Sequence, residues 1–197
     1  MSRPGYHHGD LRKALVRAAR DAVETGGPEA VSLRELAQTL GVSTAAPYRH
    51  FRDRRALLAA VAAQGFAELA ESYRRARAGA PEPMTAMRET ARVYLALAFG
   101  KPGLFRLMFA SDLLSGTPPQ SLIAPAAEAW EELCRAVAAM DPTADARSVK
   151  RRAVTGWSTL HGFVTLAQGG RLRSFMPEPL TEAELLEAIL DKSLGDA

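Results

Sequence analysis

Between Gly26 and Arg55 the chain is punctuated so often that only short helices fit there, and this limits the fold more than any other feature of the 197 residues. "GGP" at 26–28 stops a first helix expected over Leu11 to Thr25, with Asp10 as its candidate N-cap and Leu11, Leu15, Ala18, Ala22 and Val23 on one face. In "SLRE", Ser32 and Glu35 stand at capping-box spacing, the hydroxyl accepting from a backbone N–H while the carboxylate reaches back. A second helix therefore starts at Leu33 and ends near Leu40. Gly41 supplies a turn, and Ser43 can cap a third short helix reaching about Phe51. Two short helices joined by a tight glycine turn, behind a longer first helix, make helix-turn-helix geometry.

The third segment, "STAAPYRHF", is built for close approach. Thr44, Ala45 and Ala46 on its first turn let the backbone near the floor of a major groove, Tyr48 and His50 have the length to reach flanking phosphates, and Phe51 turns inward as packing. A short helix with its core aromatics and no nucleic-acid role is the plain alternative. Pro47 removes a backbone donor four residues past the cap, so the helix starts irregularly or is very short. Asp53 can cap a fourth, longer helix carrying Leu57, Leu58, Val61, Phe66, Leu69 and Tyr73. Arg54 and Arg55 fall in its first turn, where the helix dipole disfavours positive charge and an external anion would be welcome.

Charge supports a divided chain. Residues 1–55 hold ten Lys/Arg and six Asp/Glu, a net of +4, whereas the other 142 residues net −1. A basic head suits a polyanionic partner, and equally a solvated face. Beyond a break at "RAGAPEP", periodic segments run over about 84–100, 103–110, 120–140, 144–172 and 182–194, with no strand-like alternation and no internal repeat. The chain is read as all-α, residues 1–55 forming a three-helix head and residues 56–197 a helical body. Cys134, the single cysteine, excludes an intrachain disulfide and a multi-thiolate metal site and reads as a small buried hydrophobe. No window approaches eighteen consecutive apolar residues and no apolar run opens the sequence, so the expectation is a cytoplasmic protein without a membrane partner.

The stretch from Leu11 to Leu58, with "LRELAQTLGVS", "APYRHF" and a following basic residue plus "ALL", closely resembles the TetR family of bacterial one-component regulators. The resemblance implies phosphate contacts from Ser32 and Tyr48, a base or phosphate contact from Arg34, and base edges facing Thr44, Ala45 and Ala46 behind the cap Ser43. His50 would face the DNA backbone. Arg54 would stand where the family usually has lysine, a forked contact replacing a point charge. Alanine at two base-facing positions offers only methyl contacts, leaving specificity to Arg34, Thr44, the N-terminal arm or DNA shape. The body resembles the branch marked by a Trp, His, Gly set, here Trp157, His161 and Gly162 in "GWSTLHGFVTLAQGG", preceded by "KPGLFRLMF" at 101–109. In that family the body usually encloses a small-molecule pocket, and the last two long helices usually build a two-fold dimer.

Met84, Met87, Tyr94, Phe105, Met108, Phe109, Trp130 and Trp157 could line an apolar effector cavity or could simply be core. His161 shares a helix face with Trp157 and reads first as a hydrogen-bonded core or interface residue, second as a ligand contact. Gly156 and Gly162 cost helix stability unless another helix or a ligand approaches closely. Leu185, Leu186, Ile189 and Leu190 form a two-column stripe behind a Thr181–Glu184 capping pattern and are the expected dimer interface. His7, His8 and Asp10 lack further ligands, so neither a metal nor a cofactor is expected. The sequence carries no Ser/His/Asp or Cys/His pairing and no phosphate loop, which argues against a helical enzyme. The reading is a homodimeric regulator, a repressor that leaves a palindromic double-stranded DNA operator when an apolar small molecule binds. The alternatives are a DNA-binding dimer without an effector and, less favoured, an enzyme.

Overall fold

The computed structural model describes residues 8–111, 117–175, 178, 181, 184, 187 and 188. Every regular element among them is helical, and the chain is all-α as its periodicity requires. The helices are α1 (His8–Gly26), α2 (Leu33–Thr39), α3 (Arg54–Gly79), α4 (Pro83–Gly100), α5 (Pro102–Phe109), α6 (Gln120–Met140), α7 (Ala146–Gln168) and α8 (Arg171–Phe175). Two 3₁₀ turns, Pro28–Ala30 and Pro47–Arg49, interrupt the N-terminal part. The residues form two compact units, Met1–Glu68 with Lys101–Ala127 and Leu69–Gly100 with Glu128–Ala197. Helices α3 and α6 contribute residues to both.

In the first unit the helix ends follow the capping chemistry. The Ser32 hydroxyl accepts from the Glu35 N–H at 3.4 Å at the start of α2, and the Asp53 carboxylate accepts from the Ala56 N–H at 2.7 Å at the start of α3. Between α2 and the next segment, Gly41 takes φ +66°, a conformation that side chains with a Cβ rarely adopt. Helix α1 begins at His8, so Asp10 lies inside its first turn and is not its cap.

The third segment is tighter than the expected α-helix. Ala46 N–H bonds the Ser43 carbonyl at 3.0 Å, Arg49 N–H the Ala46 carbonyl at 3.2 Å and His50 N–H the Pro47 carbonyl at 3.0 Å, all with i to i+3 spacing. Pro47 has no N–H with which to continue an α-helical ladder onto Ser43, and the turn closes one residue earlier.

Leu15, Ala19 and Val23 of α1 are fully buried, as are Leu57 and Val61 of α3 and Leu104, Leu107 and Met108 of α5. Helix α5 packs on α1 and on the Pro28–Ala30 turn, and Gly103 permits that contact. A Cβ on Gly103 would lie 2.2 Å from the Val23 carbonyl oxygen, backbone that has no rotamer with which to yield. Arg20 of α1 grips the Glu68 carboxylate of α3 with both terminal nitrogens, Nη2 to Oε2 at 2.6 Å. That hydrogen bond is the main reason the Glu68 carboxyl sits below the usual carboxylate range.

In the second unit α4 packs on α7, the Tyr94 hydroxyl meeting Trp157 and His161 and Gln168 Nε2 donating to the Ala98 carbonyl at 2.8 Å; Tyr94, Leu95, Ala98, Leu160 and Val164 of these helices are buried. Asp145 caps α7 by accepting from the N–H groups of Arg147 and Ser148 at 2.8 and 3.0 Å. The helix expected over 144–172 divides where "GG" follows Gln168, and α8 resumes at Arg171. Glu132 of α6 is 1% exposed yet charged, because Arg77 bonds it at 2.6 Å, Arg135 at 2.5 Å and Arg74 at 3.2 Å. Burial alone would raise its pKa, but these three guanidinium groups outweigh it and hold the carboxyl below its ordinary value. The capping box at Thr181 and Glu184 is formed, with Glu184 N–H to the Thr181 hydroxyl at 3.2 Å and Thr181 N–H to the Glu184 carboxylate at 2.8 Å. Leu185, Leu186, Ile189 and Leu190 lie outside the described residues.

Two glycines make opposite predictions for urea unfolding. Gly103→Ala should lower stability by about 1–3 kcal/mol through overpacking against Val23. Gly156→Ala, whose new Cβ meets nothing within 4 Å, should raise it by up to ~1 kcal/mol through helix propensity. Similar shifts in both variants would contradict the α1–α5 contact.

Candidate nucleic-acid interface

The segment from Ser43 to His50 displays its side chains much as a reading element must. Ser43, Thr44, Ala45, Tyr48 and Arg49 are exposed, Ala46 and His50 are half-buried, and Pro47 and Phe51 are buried. Tyr48 is 55% exposed, a large aromatic ring held out on a basic turn. Phe51 is 4% exposed, with the Arg12 guanidinium 5.2 Å from its ring centroid, so an α1 cation and the turn's anchor meet face to face. Arg34 is exposed on α2, whereas Ser32 is half-buried and its hydroxyl is engaged in the α2 cap.

Arg54 has a task within the fold. Its Nε donates to the Val31 carbonyl at 2.9 Å and its Nη2 to the Pro28 carbonyl, so the guanidinium clamps the chain on both sides of Ala30. The forked donor set that distinguishes arginine from lysine is what allows one side chain to hold two carbonyls. Arg55 donates to the Thr117 carbonyl at 3.2 Å. A cleft of about 420 Å³ beside these two arginines is also lined by Glu29, Leu58 and Leu107.

The candidate effector residues fall into two groups. Phe105, Met108 and Phe109 belong to the first unit, where Phe109 meets the rings of Phe66 at 5.3 Å and Phe105 at 4.9 Å. Met87, Tyr94, Trp130, Trp157 and His161 belong to the second. There Met87, Tyr94 and Trp157 border a cavity of about 10 Å³ together with Tyr73, Thr90 and Leu160, and Trp130 packs edge-on to Trp157 at 6.3 Å. Met84 is half-buried at the start of α4. Thr90 and Leu133, which also line the cavity, gave no signal in the sequence beyond helical spacing.

Three side chains in this unit share one hydrogen-bond chain. The Trp157 indole, which can only donate, bonds the Tyr94 hydroxyl oxygen at 3.2 Å. The Tyr94 hydroxyl meets His161 Nδ1 at 2.8 Å, donating to it when the imidazole is neutral and protonated at Nε2. Burial favours the same state, pushing the His161 pKa below its ordinary value. Tyr94 is itself pushed well up, chiefly by burial, and stays a neutral phenol. His161 is thus a hydrogen-bonded, half-buried residue. Gly162 is exposed, and an added Cβ at Gly156 or Gly162 would meet nothing within 4 Å, so the close approach their positions suggest is not made within the described chain.

Family models for the bacterial regulatory proteins of the tetR family and for the tetracyclin repressor-like C-terminal domain match residues 15–61 and 87–192. The chain belongs to the TetR family. No curated protein matches it. Among solved structures, this TetR-family chain is similar to a protein of unknown function from Rhodococcus sp. RHA1, at 30% identity and TM-score 0.82 over 98% of both chains. Two further likenesses concern the fold alone. The TetR-family regulator PfmR of Thermus thermophilus is 23% identical, with TM-score 0.61 over 93% of this chain and 97% of its own. The regulator FadR of Bacillus subtilis, solved in complex with stearoyl-CoA, is 12% identical, with TM-score 0.72 over 94% and 98%. No helix among the described residues of this TetR protein is long and apolar enough to cross a membrane.

Two measurements check these sites. Arg54→Ala should destabilise the protein by about 1 kcal/mol, less than the ~1.5–3 kcal/mol of a buried charged hydrogen bond because the side chain is exposed, and Arg54→Lys should not restore it fully. The depressed pKa of His161 means that the unfolded chain takes up its proton first as pH falls. Its contribution to stability is therefore complete above about pH 6.5 and is lost as pH drops below that value. The lowered carboxylates Glu68 and Glu132 begin to matter only nearer the ordinary glutamate value of 4.5. Melting temperature should fall between pH 7 and 5.5 in the wild type and fall less in His161→Gln; equal slopes would exclude His161 as the cause.

Proposed function

We propose that the chain is a homodimeric, ligand-responsive DNA-binding repressor acting in the cytoplasm, residues 1–55 reading DNA and residues 56–197 serving effector binding and dimerisation. The observation that carries the DNA reading is the exposed Tyr48 on a basic turn whose remaining aromatic, Phe51, is buried. Each subunit would place the Ser43–His50 turn in a major groove of one half-site, with Tyr48 and His50 on phosphates and Thr44, Ala45 and Ala46 over base edges. Half-sites served from one face of the duplex stand about one helical turn, ~34 Å, apart, so the operator is expected to be palindromic.

Dimerisation is supported by the outer face of α7. Val154 and Leu166 are 43% and 39% exposed, and Thr155, Ser158, Thr159, Gly162 and Thr165 lie exposed between them. Small residues flanked by apolar ones suit a second helix packed closely against α7, and the open space at Gly162 fits that approach. Together with the helix expected from Glu182, this face would build the two-fold bundle.

The effector is proposed to be a largely apolar molecule received among Met87, Tyr94, Trp157 and their neighbours, in a body of the branch marked by Trp157, His161 and Gly162. FadR, similar in fold, was solved with stearoyl-CoA, which supports a ligand with an extended apolar part. The cavity of about 10 Å³ holds no more than one water, so an effector must select a more open body. Only differential affinity for that conformation can release DNA. The tightness of the cavity bordered by Met87, Tyr94 and Trp157 supports a second reading, a DNA-binding dimer with no effector received there. An enzymatic role has no assembled nucleophile or acid–base pair to support it among the described residues.

Selection of duplexes from a randomised pool tests the proposal most directly, and enrichment of a palindrome is the expected result. Affinity for the selected duplex should fall with salt at a log–log slope of roughly −5 to −9, from about 6 to 10 phosphate contacts per dimer; a slope near zero would refute phosphate-dominated binding. Sedimentation should show a wild-type dimer and a monomer for Val154→Glu with Leu166→Glu. A compound library that never raises the melting temperature would favour the dimer without effector.

A further inference from the structure

We infer that Arg49 is the principal base-reading side chain of the head, recognising a guanine in each half-site; this rests on the DNA-binding reading above. The argument begins with how the other arginines near the turn are used. Arg12 lies over the Phe51 ring, Arg52 pairs with Asp53 at 3.1 Å, Arg54 clamps two carbonyls and Arg55 donates to the Thr117 carbonyl. Arg34 and Arg49 are exposed and have no side-chain hydrogen bond or ion pair among the described residues. Arg34 stands on α2, whereas Arg49 stands on the reading turn, between Tyr48 and His50.

Its position on the turn follows from the 3₁₀ hydrogen bond. Arg49 N–H bonds the Ala46 carbonyl at 3.2 Å, and residues three apart in a 3₁₀ turn lie one above the other. Arg49 is therefore stacked one turn beyond Ala46 and four residues beyond Ala45, the two positions whose side chains end at a methyl group. Those alanines bring the backbone close to the groove but cannot hydrogen-bond a base edge. A long planar guanidinium next to that gap can. Its paired donors match the O6 and N7 acceptors of guanine in the major groove, a pattern no other base presents. The α-helix expected for this segment would have placed Ala45, not Ala46, nearest to Arg49 along the surface, so the tighter turn created by Pro47 is part of the arrangement.

The test uses the full-length protein and the duplex that it selects from a randomised pool. Wild-type protein is expected to require one G·C pair in each half-site. Against that pair, Arg49→Ala should lose roughly ten- to hundredfold in discrimination while keeping its preferences elsewhere. Arg49→Lys retains the charge and should retain the salt slope, yet it should also lose most of the discrimination, since an ammonium lacks the paired donors. If Arg49→Ala instead weakens binding to all duplexes alike and lowers the salt slope, Arg49 is a phosphate contact and the inference fails. If either variant keeps the wild-type sequence preference, it fails as well. Wild-type protein that selects no duplex at all would overturn the DNA-binding reading together with this inference.

Discussion

The first unit is held by the approach of α5 to the backbone of α1 at Gly103. Residues 11–55 present more apolar surface than their own short helices can cover, because α2 and the Pro47–Arg49 turn are too brief to bury the whole of α1. The missing cover comes from 101–109, where Leu104, Leu107 and Met108 are fully buried. That cover can be close only because residue 103 has no side chain to strike the Val23 carbonyl. Arg106 of the same helix meets Glu29 at 3.1 Å, and Arg54 reaches the neighbouring carbonyls from the other side. The turn that presents Tyr48 and Arg49 thus stands in a unit whose packing depends on the distant segment 101–109.

The second unit relies on polar groups that would be costly if left unpartnered. Glu132 can be buried as an anion only because three arginines surround it, and without them it would be a desolvated, unpaired charge. Tyr94, 2% exposed, has its hydroxyl bonded by the Trp157 indole on one side and the His161 imidazole on the other. A ligand that inserted among these residues would have to replace those bonds.

Much of the head was legible in the sequence. Ser32, Gly41 and Asp53 act through bonds to residues a few positions away, so their caps and turns could be read directly and were found where expected. Phe51 was assigned inward from its place after a short polar-tipped segment, and it is buried. Pro47 signalled an irregular turn, although not that Pro47–Arg49 would close as 3₁₀. Among the described residues of the body, the limits of α4, α5 and α6 match the expected segments within a residue or so, the segment over 144–172 divides, and the grouping of aromatic residues was not legible. Phe105 and Phe109 share a residue type with Trp130 and Trp157, and helical spacing cannot tell which of two clusters a side chain will join.

What the sequence determined by itself was local: helical class, caps, breaks, the basic bias of the first 55 residues and a set of motifs specific enough to indicate the family. Each depends on hydrogen bonds or periodicities spanning fewer than about five residues, or on composition. Only the tertiary structure decided which arginines are occupied and which remain exposed, that Arg54 serves backbone carbonyls, and that Glu132 is an anion among guanidinium groups. It also decided that Tyr94 reaches across 67 residues to His161. These outcomes depend on which side chains long-range packing brings within about 3 Å, a distance that no spacing along the chain encodes.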